Sequence, residues 1–358
     1  MATAQPIRAL SVRVGIPGAI GLTELPAPRR GDGELLLRTL AIGICGTDRE
    51  IVNGKYGEPP PGRERLVLGH ESLMRILETP EGSEFAAGEL VVGFVRRPDP
   101  VPCPSCAIGE WDMCRNGRYT EHGIKGLDGY GAERVCIDPS FAVRVPSSLG
   151  ALGILTEPAS VLAKAWEQIE RIGHRAAAWE PRRVLVTGAG PIGLLAALMG
   201  RQRGLEVHVF DRVDDGPKPA LARELGAHYH AGEIGGLRGL APDIVIECTG
   251  ASAVVLDVLG GTARSGIICL AGVSSGAREI RMDVARLNQT IVLENDVVFG
   301  TVNANRRHYE AAVEALAAAD PAWLARLVSR RVPLARWREA FERRPGDVKV
   351  IVDFEAAA

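Results

Sequence analysis

Residues 184–211 read VLVTGAGPIGLLAALMGRQRGLEVHVFD: an apolar run, a glycine turn, a helical segment and a second apolar run that ends in an acid. Gly188, Gly190 and Gly193 fit the pattern G-x-G-x-x-G. In that pattern the first glycine permits a tight turn, the second lets a pyrophosphate approach the backbone, and the third lets helix and strand pack closely. A helix that begins at Pro191 would point its amide end at the phosphate. The stretch therefore predicts a dinucleotide-binding unit, and the alternative is a tight turn in an ordinary α/β sheet.

The acid that closes this stretch bears on the choice of cofactor. Asp211 stands near the distance from the glycines at which a carboxylate accepts hydrogen bonds from a ribose 2′-hydroxyl. Its charge would repel a 2′-phosphate and therefore favours NAD. Arg212 follows immediately and could accommodate a phosphate. We expect NAD, with use of NADP left open.

The composition excludes several classes of protein. The chain has 358 residues, which suggests two domains, and its formal charge of −2 gives no reason to expect a nucleic-acid or membrane partner. No apolar run is long enough to cross a membrane, and the first residues lack the apolar core of a secretory signal. We therefore expect a cytoplasmic protein. The seven cysteines are an odd number, which argues against a disulfide framework and favours metal binding by clustered thiols.

The order of the chain predicts its domain organisation. Up to about residue 146, short apolar runs alternate with Gly and Pro, as in an antiparallel β-rich domain. From Val184 onward strand-like runs alternate with helical segments, which predicts a doubly wound parallel sheet. The tail after His308 ends in a strand that we expect to rejoin the first domain. We predict an α/β protein in which residues 1–165 and 304–358 form the β-rich domain and residues 166–303 an inserted Rossmann domain.

Three separated segments carry residues that zinc prefers. Cys45 lies in ICGTD, His70 in GHE and Glu157 in TEP. A thiolate, an imidazole and a carboxylate can form a three-ligand zinc site with one open position. A substrate oxygen bound there would lose its proton more easily. The alternative for His70 alone is an ordinary buried histidine.

The sequence as a whole resembles a known family. The segments GICGTDREIVNG, LVLGHES, LTEPASVLAKAWE, VTGAGPIGLL and FGTVNANRRHYEAAVE are similar to the zinc-dependent medium-chain dehydrogenase/reductase family, and within it to glucose dehydrogenases of archaeal type. The resemblance covers essentially the whole chain. It implies a GroES-like catalytic domain, a Rossmann domain, a catalytic zinc and a nicotinamide cofactor. A homo-oligomer, a tetramer by analogy, is also expected.

The resemblance assigns roles around the catalytic zinc. Cys45, His70 and Glu157 would hold the ion, with Glu71 as an alternating or nearby ligand. Asp48 would bind the other ring nitrogen of His70. A carboxylate at the position of Glu157 is typical of the sugar and polyol branches.

The same resemblance gives Thr47 the task of passing on the substrate proton. The alternative is a turn or cap residue. Some relatives end this relay with a histidine where this chain has Glu50, so the exit of the proton is left open.

A second cysteine cluster is similar to the structural zinc lobe of the family. Cys103, Cys106 and Cys114 match three of its usual four cysteines. Asp99 could supply the fourth ligand, because zinc also accepts oxygen ligands. The alternative is a lobe that has lost its zinc and is held by packing.

The resemblance also implies a substrate and its contacts. Glu121 and Asn303 match groups that bind sugar hydroxyls, although on their own they would be read as a loop acid and a turn residue. His122 is expected to be structural. The implied cofactor contacts are Gly188, Gly190, Pro191, Ile192, Gly193, Asp211, Arg212, Thr249 and Val302.

The expected reaction is oxidation of a glucose-like aldose at C1 to the lactone, with hydride transfer to NAD or NADP. Two alternatives stay open. One is a polyol or secondary alcohol dehydrogenase on the same scaffold. The other is a cofactor-binding family member without catalysis.

Overall fold

The computed structural model describes residues 5–237, 239–274 and 279–356. It divides into two compact units, Met1–Ser160 with Asn303–Ala358 and Val161–Val302. This division is close to the predicted domains, whose bounds stay a prediction.

The strands are numbered in chain order. They are β1 (Ile7–Arg13), β2 (Ile20–Leu25), β3 (Leu35–Ile44), β4 (Arg65–Val67), β5 (Glu71–Glu78), β6 (Leu90–Gly93), β7 (Arg96–Arg97), β8 (Thr120–His122), β9 (Gly126–Leu127), β10 (Arg134–Ile137), β11 (Ala142–Val145), β12 (Arg183–Thr187), β13 (Glu206–Asp211), β14 (His228–Ala231), β15 (Ile244–Glu247), β16 (Ile267–Leu270), β17 (Val297–Gly300), β18 (Val328–Pro333) and β19 (Lys349–Asp353).

The α-helices are numbered in the same way. They are α1 (Gly46–Val52), α2 (Pro104–Ala107), α3 (Thr156–Gly173), α4 (Pro191–Gln202), α5 (Pro217–Glu224), α6 (Ser252–Val258), α7 (Val284–Glu294), α8 (Arg306–Ala317), α9 (Pro321–Leu327) and α10 (Arg338–Phe341). Among the described residues no helix is both long enough and apolar enough to span a membrane.

The first unit is built around a seven-stranded sheet of order β11-β6-β5-β3-β19-β18, with β10 also paired to β3. Its pairs are antiparallel except for β18 with β19. Strand β3 is buried at every position except Arg38, as its nearly continuous apolar sequence predicts. The pairing of β19 with β3 confirms that the tail rejoins the first domain.

The second unit contains a six-stranded sheet of order β14-β13-β12-β15-β16-β17. Every neighbouring pair in it is parallel. Apolar side chains of four of these strands form one core cluster, which includes Leu185, Phe210, Val245 and Ile268. The predicted parallel sheet is therefore confirmed, and the glycine turn lies between its strand β12 and helix α4.

Candidate active site

The pairing of β3 with β5 brings Cys45 and His70 together. In this antiparallel pair Gly43 lies opposite Glu71. Cys45 follows the end of β3 and His70 precedes the start of β5, so the two residues are neighbours although they are far apart in the sequence. The Cys45 Sγ atom lies 3.1 Å from Nε2 of His70.

The start of α1 fixes the orientation of both ligands. Cys45 caps this helix, and its Sγ atom accepts a hydrogen bond of 3.2 Å from the amide of Thr47. Asp48 returns a bond to the cap, because its Oδ2 atom accepts from the amide of Cys45 at 2.9 Å. Its other oxygen lies 3.5 Å from Nδ1 of His70. Asp48 thus holds both the loop and the ring.

Cys45, Asp48 and His70 form a cluster that suits a divalent cation. One ligand atom from each lies within 4.8 Å of the others. Burial opposes protonation of His70, but the adjacent Cys45 and Asp48 raise its pKa well above the ordinary value. Asp48 Oδ1 and His70 Nδ1 are buried and lie 3.5 Å apart, at the limit of hydrogen-bond distance. The cluster therefore attracts positive charge, and a metal ion of zinc type fits its donors.

Glu71 is held by a lysine from the far end of the chain. Glu71 and Lys349 are both nearly inaccessible to solvent and form an ion pair. The negative charges of Glu71 and Cys45 outweigh the effect of burial and raise the pKa of Lys349. Sequence reasoning missed this lysine, although a lysine inside the apolar strand VKVIV was a signal for a buried partner.

Glu157 lies in the first turn of α3, outside the cluster of atoms that lie within 4.8 Å of one another. Burial and the nearby charge of Glu71 raise its pKa to about 7. Two carboxylates close together in a dry site favour a cation or a proton between them. Glu157 thus interacts electrostatically with Glu71 and His70, but it does not join the cluster of Cys45, Asp48 and His70.

A second polar site joins Glu121 to Asn303. Glu121 is 5% exposed, and its Oε1 atom accepts a hydrogen bond of 2.8 Å from Nδ2 of Asn303. The same oxygen accepts from Nε and Nη2 of Arg96 at 3.0 and 2.9 Å. Asn303 has a φ of 63°, a left-handed conformation that asparagine tolerates. Arg96 was not predicted, because nothing near it in the sequence indicates a buried carboxylate partner.

His122 has the structural role expected from the sequence. His122 stacks on Tyr130 with ring centroids 4.6 Å apart. Its Nδ1 atom lies 2.7 Å from the carbonyl oxygen of Asp128. Burial and the nearby charge of Arg97 lower the pKa of His122 to about 3.

The cysteine lobe brings together all three of its thiols. The Sγ atoms of Cys103, Cys106 and Cys114 lie within 4.8 Å of one another. Backbone amides, led by that of Arg115, lower the pKa of Cys103 to about 6, so this thiol is ready to bind a metal. Burial raises the pKa of Cys106 to about 11.

Asp99 is not part of this cluster. Its Oδ2 atom accepts hydrogen bonds from Nδ2 of Asn116 at 2.9 Å and from Nε of Arg118 at 3.2 Å. Its Oδ1 atom accepts from the amide of Val101 at 2.9 Å. The structure therefore does not place the carboxylate of Asp99 as a fourth ligand.

The glycine turn leaves space for a ligand next to the backbone. Gly188 has a φ of 90°, which the tight turn requires. A Cβ atom at Gly193 would lie 1.7 Å from the carbonyl oxygen of Gly188, so only glycine lets the helix approach. Around Gly190, by contrast, no atom of the described residues beyond its two chain neighbours lies within 4 Å of a Cβ position. Pro191 and Ile192 follow as the first residues of α4, so its amide end is accessible to a phosphate.

The side chain of Asp211 is tied to the glycine turn. Its Oδ2 atom accepts a hydrogen bond of 2.7 Å from the amide of Ala189. Its Oδ1 atom accepts from the amide of Arg212 at 2.7 Å. Lys218, which sequence reasoning missed, places its Nζ atom 3.7 Å from Asp211. An exposed arginine and a lysine thus flank the acid, which softens its repulsion of a phosphate.

A buried carboxylate was missed at the end of β15. Both oxygens of Glu247 accept hydrogen bonds, from Thr187 Oγ1 at 3.2 Å and from the amides of Thr249 and Gly250 at 2.7 and 3.1 Å. This carboxylate positions Thr249 beside the glycine turn, where a Cβ atom at Gly188 would lie 2.9 Å from its methyl group. The remaining predicted cofactor contact, Val302, is 56% exposed.

Comparison with protein families assigns both parts of the chain. Residues 31–147 match the alcohol dehydrogenase GroES-like domain, and residues 150–354 match the glucose dehydrogenase C-terminus. The chain belongs to the medium-chain dehydrogenase/reductase family. The fold and the family expected from the sequence are confirmed.

Several proteins similar to this chain are glucose dehydrogenases. It is 39% identical to glucose 1-dehydrogenase of Methanocella arvoryzae, over 98% of this chain and 100% of that protein. It is 38% identical to glucose 1-dehydrogenase of Thermoproteus tenax, with the same coverage. Among solved structures, glucose dehydrogenase of Haloferax mediterranei in complex with NADP, Zn and gluconolactone is 29% identical and superposes with a TM-score of 0.90, covering 98% of this chain and 100% of that one.

Proposed function

We propose that this dehydrogenase oxidises glucose or a similar aldose at C1, with zinc as the catalytic metal and NAD or NADP as the hydride acceptor. The substrate loses a hydride from C1 and a proton from its C1 hydroxyl, giving the lactone, the reduced cofactor and a proton. The observation that carries the proposal is the contact between Cys45 and the buried His70, both held by Asp48. Supporting it, a relative of the same length and fold is described in complex with NADP, Zn and gluconolactone.

Cys45, His70 and a carboxylate are proposed to hold the zinc. Glu157 is that carboxylate, and Glu71 lies beside it as the alternating ligand that Lys349 holds in place. Glu157 then has to approach the other two ligands when the ion binds. A bound zinc ion lowers the pKa of an oxygen that it coordinates.

Thr47 is proposed to pass on the proton of the substrate hydroxyl. It lies two residues after Cys45 in the first turn of α1, and its own amide is engaged by the Cys45 sulfur. A hydroxyl can accept one proton while donating another, which suits a relay.

Glu121 and Asn303 are proposed to bind sugar hydroxyls. All three side-chain hydrogen bonds described for Glu121 end on Oε1, which leaves Oε2 for a substrate hydroxyl. Arg96 orients the carboxylate with its two hydrogen bonds. A sugar that presents its hydroxyls to these groups avoids the cost of burying them unpaired.

Asp211 is proposed to favour NAD, while Arg212 and Lys218 allow NADP as well. The proposal also includes the homo-oligomer, a tetramer by analogy, which light scattering of the purified protein would test. The cytoplasmic location stays a prediction.

The test is a substrate panel with both cofactors. We expect formation of NADH or NADPH with glucose and related aldoses, and gluconolactone or its hydrolysis product as the other product. Removal of zinc by a chelator should abolish turnover, and added Zn²⁺ should restore it. A preference for sorbitol, threonine or a simple secondary alcohol would reject the proposal, as would cofactor binding without turnover of any of these compounds.

A further inference from the structure

Four side chains of types that can bind metal ions meet on two neighbouring strands of the parallel sheet. Glu206 and His208 lie two residues apart on β13, and His228 and His230 lie two residues apart on β14. Side chains at this spacing point to the same face of a sheet. Three of the seven histidines of the chain are therefore gathered on one small surface with a carboxylate. None of these residues belongs to the cofactor or substrate sites described above.

The register of the strands sets the geometry of this cluster. His208 lies directly opposite His228, and their rings stack with centroids 4.8 Å apart. The Nε2 atom of His208 lies 2.9 Å from Oε1 of Glu206. One ligand atom from each of Glu206, His208 and His228 lies within 4.8 Å of the other two. Ligands bound tetrahedrally to zinc at about 2.0–2.1 Å lie roughly 3.4 Å apart, so small rotations bring these three onto one ion.

The remaining contacts orient His208 and Glu206 so that one atom of each can bind a metal ion. His208 Nδ1 lies 2.8 Å from Nε2 of His230. When Nδ1 of His208 carries the proton, it donates a hydrogen bond to Nε2 of His230. Nε2 of His208 then presents a lone pair toward Glu206. A hydrogen-bond acceptor on the far nitrogen is the usual support of a metal-bound histidine. The Oε2 atom of Glu206 pairs with Nε of Arg183 at 3.3 Å, which leaves Oε1 for the ion.

We propose that Glu206, His208 and His228 form a third metal site, separate from the catalytic cluster and the cysteine lobe and selective for Zn²⁺ or a similar borderline transition ion, with His230 as the positioning residue. Imidazole nitrogens with one carboxylate select such ions over Mg²⁺ or Ca²⁺. His208 is buried, whereas Glu206 and His228 are exposed, so the ion enters from solvent. Among the described strands β14 is the last of its sheet and pairs with β13. An ion at this place joins the edge strand to its neighbour.

The competing explanation is a chain of hydrogen bonds without an ion. A proton on His208 Nε2 would satisfy Glu206, and a proton on His230 would satisfy His208 Nδ1. Under that explanation His228 has no part in the cluster beyond ring stacking. The involvement of His228 in Zn²⁺ binding therefore separates the two.

The test uses the zinc-loaded enzyme, dialysed to equilibrium against a range of Zn²⁺ concentrations and analysed by mass spectrometry for metal content. Wild type is compared with His228→Gln and Glu206→Gln. His174→Gln is the matched control, since His174 is an exposed histidine of the same unit that lies outside the cluster. We expect wild type and His174→Gln to bind one Zn²⁺ more per chain than the other two variants. The affinity of those two should fall by at least the roughly 10- to 100-fold that loss of an outer partner costs.

Two further measurements keep the result decisive if a variant is unstable. Added Zn²⁺ should raise the Tm of wild type and His174→Gln but not of His228→Gln, while turnover of His228→Gln stays at the wild-type level. Crystals of wild type soaked in Zn²⁺ should show an anomalous peak between Glu206, His208 and His228. Equal Zn²⁺ uptake by all four proteins, or soaked crystals without that peak, would overturn the proposal.

Discussion

Gly43 lies directly against the carboxylate of Glu71. A Cβ atom at Gly43 would come within 1.9 Å of Oε2 of Glu71. The backbone of Gly43 needs no unusual conformation, so glycine is required there for space. Strand β3 thus leaves room for a buried acid at the point where Cys45 leaves the sheet.

The first prediction follows from this contact. Gly43→Ala should push Glu71 away from Lys349 and disturb the proposed zinc ligands. We expect weaker retention of zinc, lower kcat, and a loss of stability of about 1–3 kcal/mol, as for overpacking in a core. Zinc content after dialysis, initial rates and urea unfolding measure the three effects. Gly46→Ala is the control, because among the described residues no atom beyond its chain neighbours and its own helix backbone lies within 4 Å of its Cβ position. Equal zinc retention in the two variants would contradict the prediction.

The second prediction concerns Glu121. Glu121→Gln keeps the size of the side chain but removes its charge and its ion pair with Arg96. A hydrogen bond to a charged group contributes about 1.5–3 kcal/mol, so kcat/KM for glucose should fall roughly 10- to 150-fold. Most of the loss should appear in KM, because the group binds the ring. The KM for the cofactor should not change.

The matched control for Glu121→Gln is Glu64→Gln, which removes an exposed acid of the same unit whose side chain is 77% exposed. Its kinetics should match those of wild type. Steady-state rates with glucose and with an aldose that lacks one hydroxyl would locate the contact. An unchanged kcat/KM in Glu121→Gln would remove Glu121 from the substrate site.

The glycine turn and the central strand β3 could be predicted from sequence because their causes are local. Gly188 and Gly193 indicate a tight turn and a close approach of helix α4 to that turn, both within a few residues of the glycines. The apolar run of β3 indicates that the strand is buried. Cys45 and His70 were predicted from their ligand chemistry together with the resemblance. Their closeness depends on which strands pair, and the pairing of β3 with β5 was not predicted.

Lys349 and Arg96 could not be predicted in this way. Lys349 binds an acid 278 residues earlier in the chain, and Arg96 binds one 25 residues later. A charged residue in a strand gives no indication of its distant partner. Glu157 differs from these two residues, because it was predicted as a zinc ligand. Its distance from Cys45 could not be predicted, since that distance depends on how the start of α3 lies in the folded unit.

The third prediction concerns cofactor choice. Asp211→Asn removes the charge that opposes a 2′-phosphate, while its amide oxygen can still accept the hydrogen bond from Ala189. Two charges about 4 Å apart interact by about 1 kcal/mol in water and by about 4 kcal/mol near a protein surface, so the ratio of kcat/KM for NADP to that for NAD should rise at least about fivefold. Arg212→Gln should shift the ratio the other way. Asp214→Asn, an exposed acid on the same loop, is the control and should leave it unchanged.

The fourth prediction separates the ligands of the cysteine lobe. Cys114→Ser should lose one zinc per chain and lower the Tm, because its thiol lies with those of Cys103 and Cys106. Asp99→Asn should keep that zinc, since the Asp99 carboxylate is bound by Asn116 and Arg118. Metal analysis of the purified variants measures both. Loss of the zinc in Asp99→Asn would make Asp99 the fourth ligand after all, and wild type without this zinc would mean a lobe held by packing.

The last prediction concerns acid stability. The pKa of His122 is lowered to about 3 in the folded protein, from an ordinary value of 6.5, chiefly by burial. The unfolded chain therefore binds a proton between these values that the folded protein does not. The contribution of His122 to stability is present above pH 6.5 and is lost as the pH falls toward 3, with a slope of at most about 1.4 kcal/mol per pH unit. His122→Gln should flatten the decline of the unfolding free energy between pH 7 and 5, as measured by urea unfolding. His174→Gln, which removes an exposed histidine, should keep the wild-type slope, and equal slopes in all three proteins would show that His122 is not the group responsible.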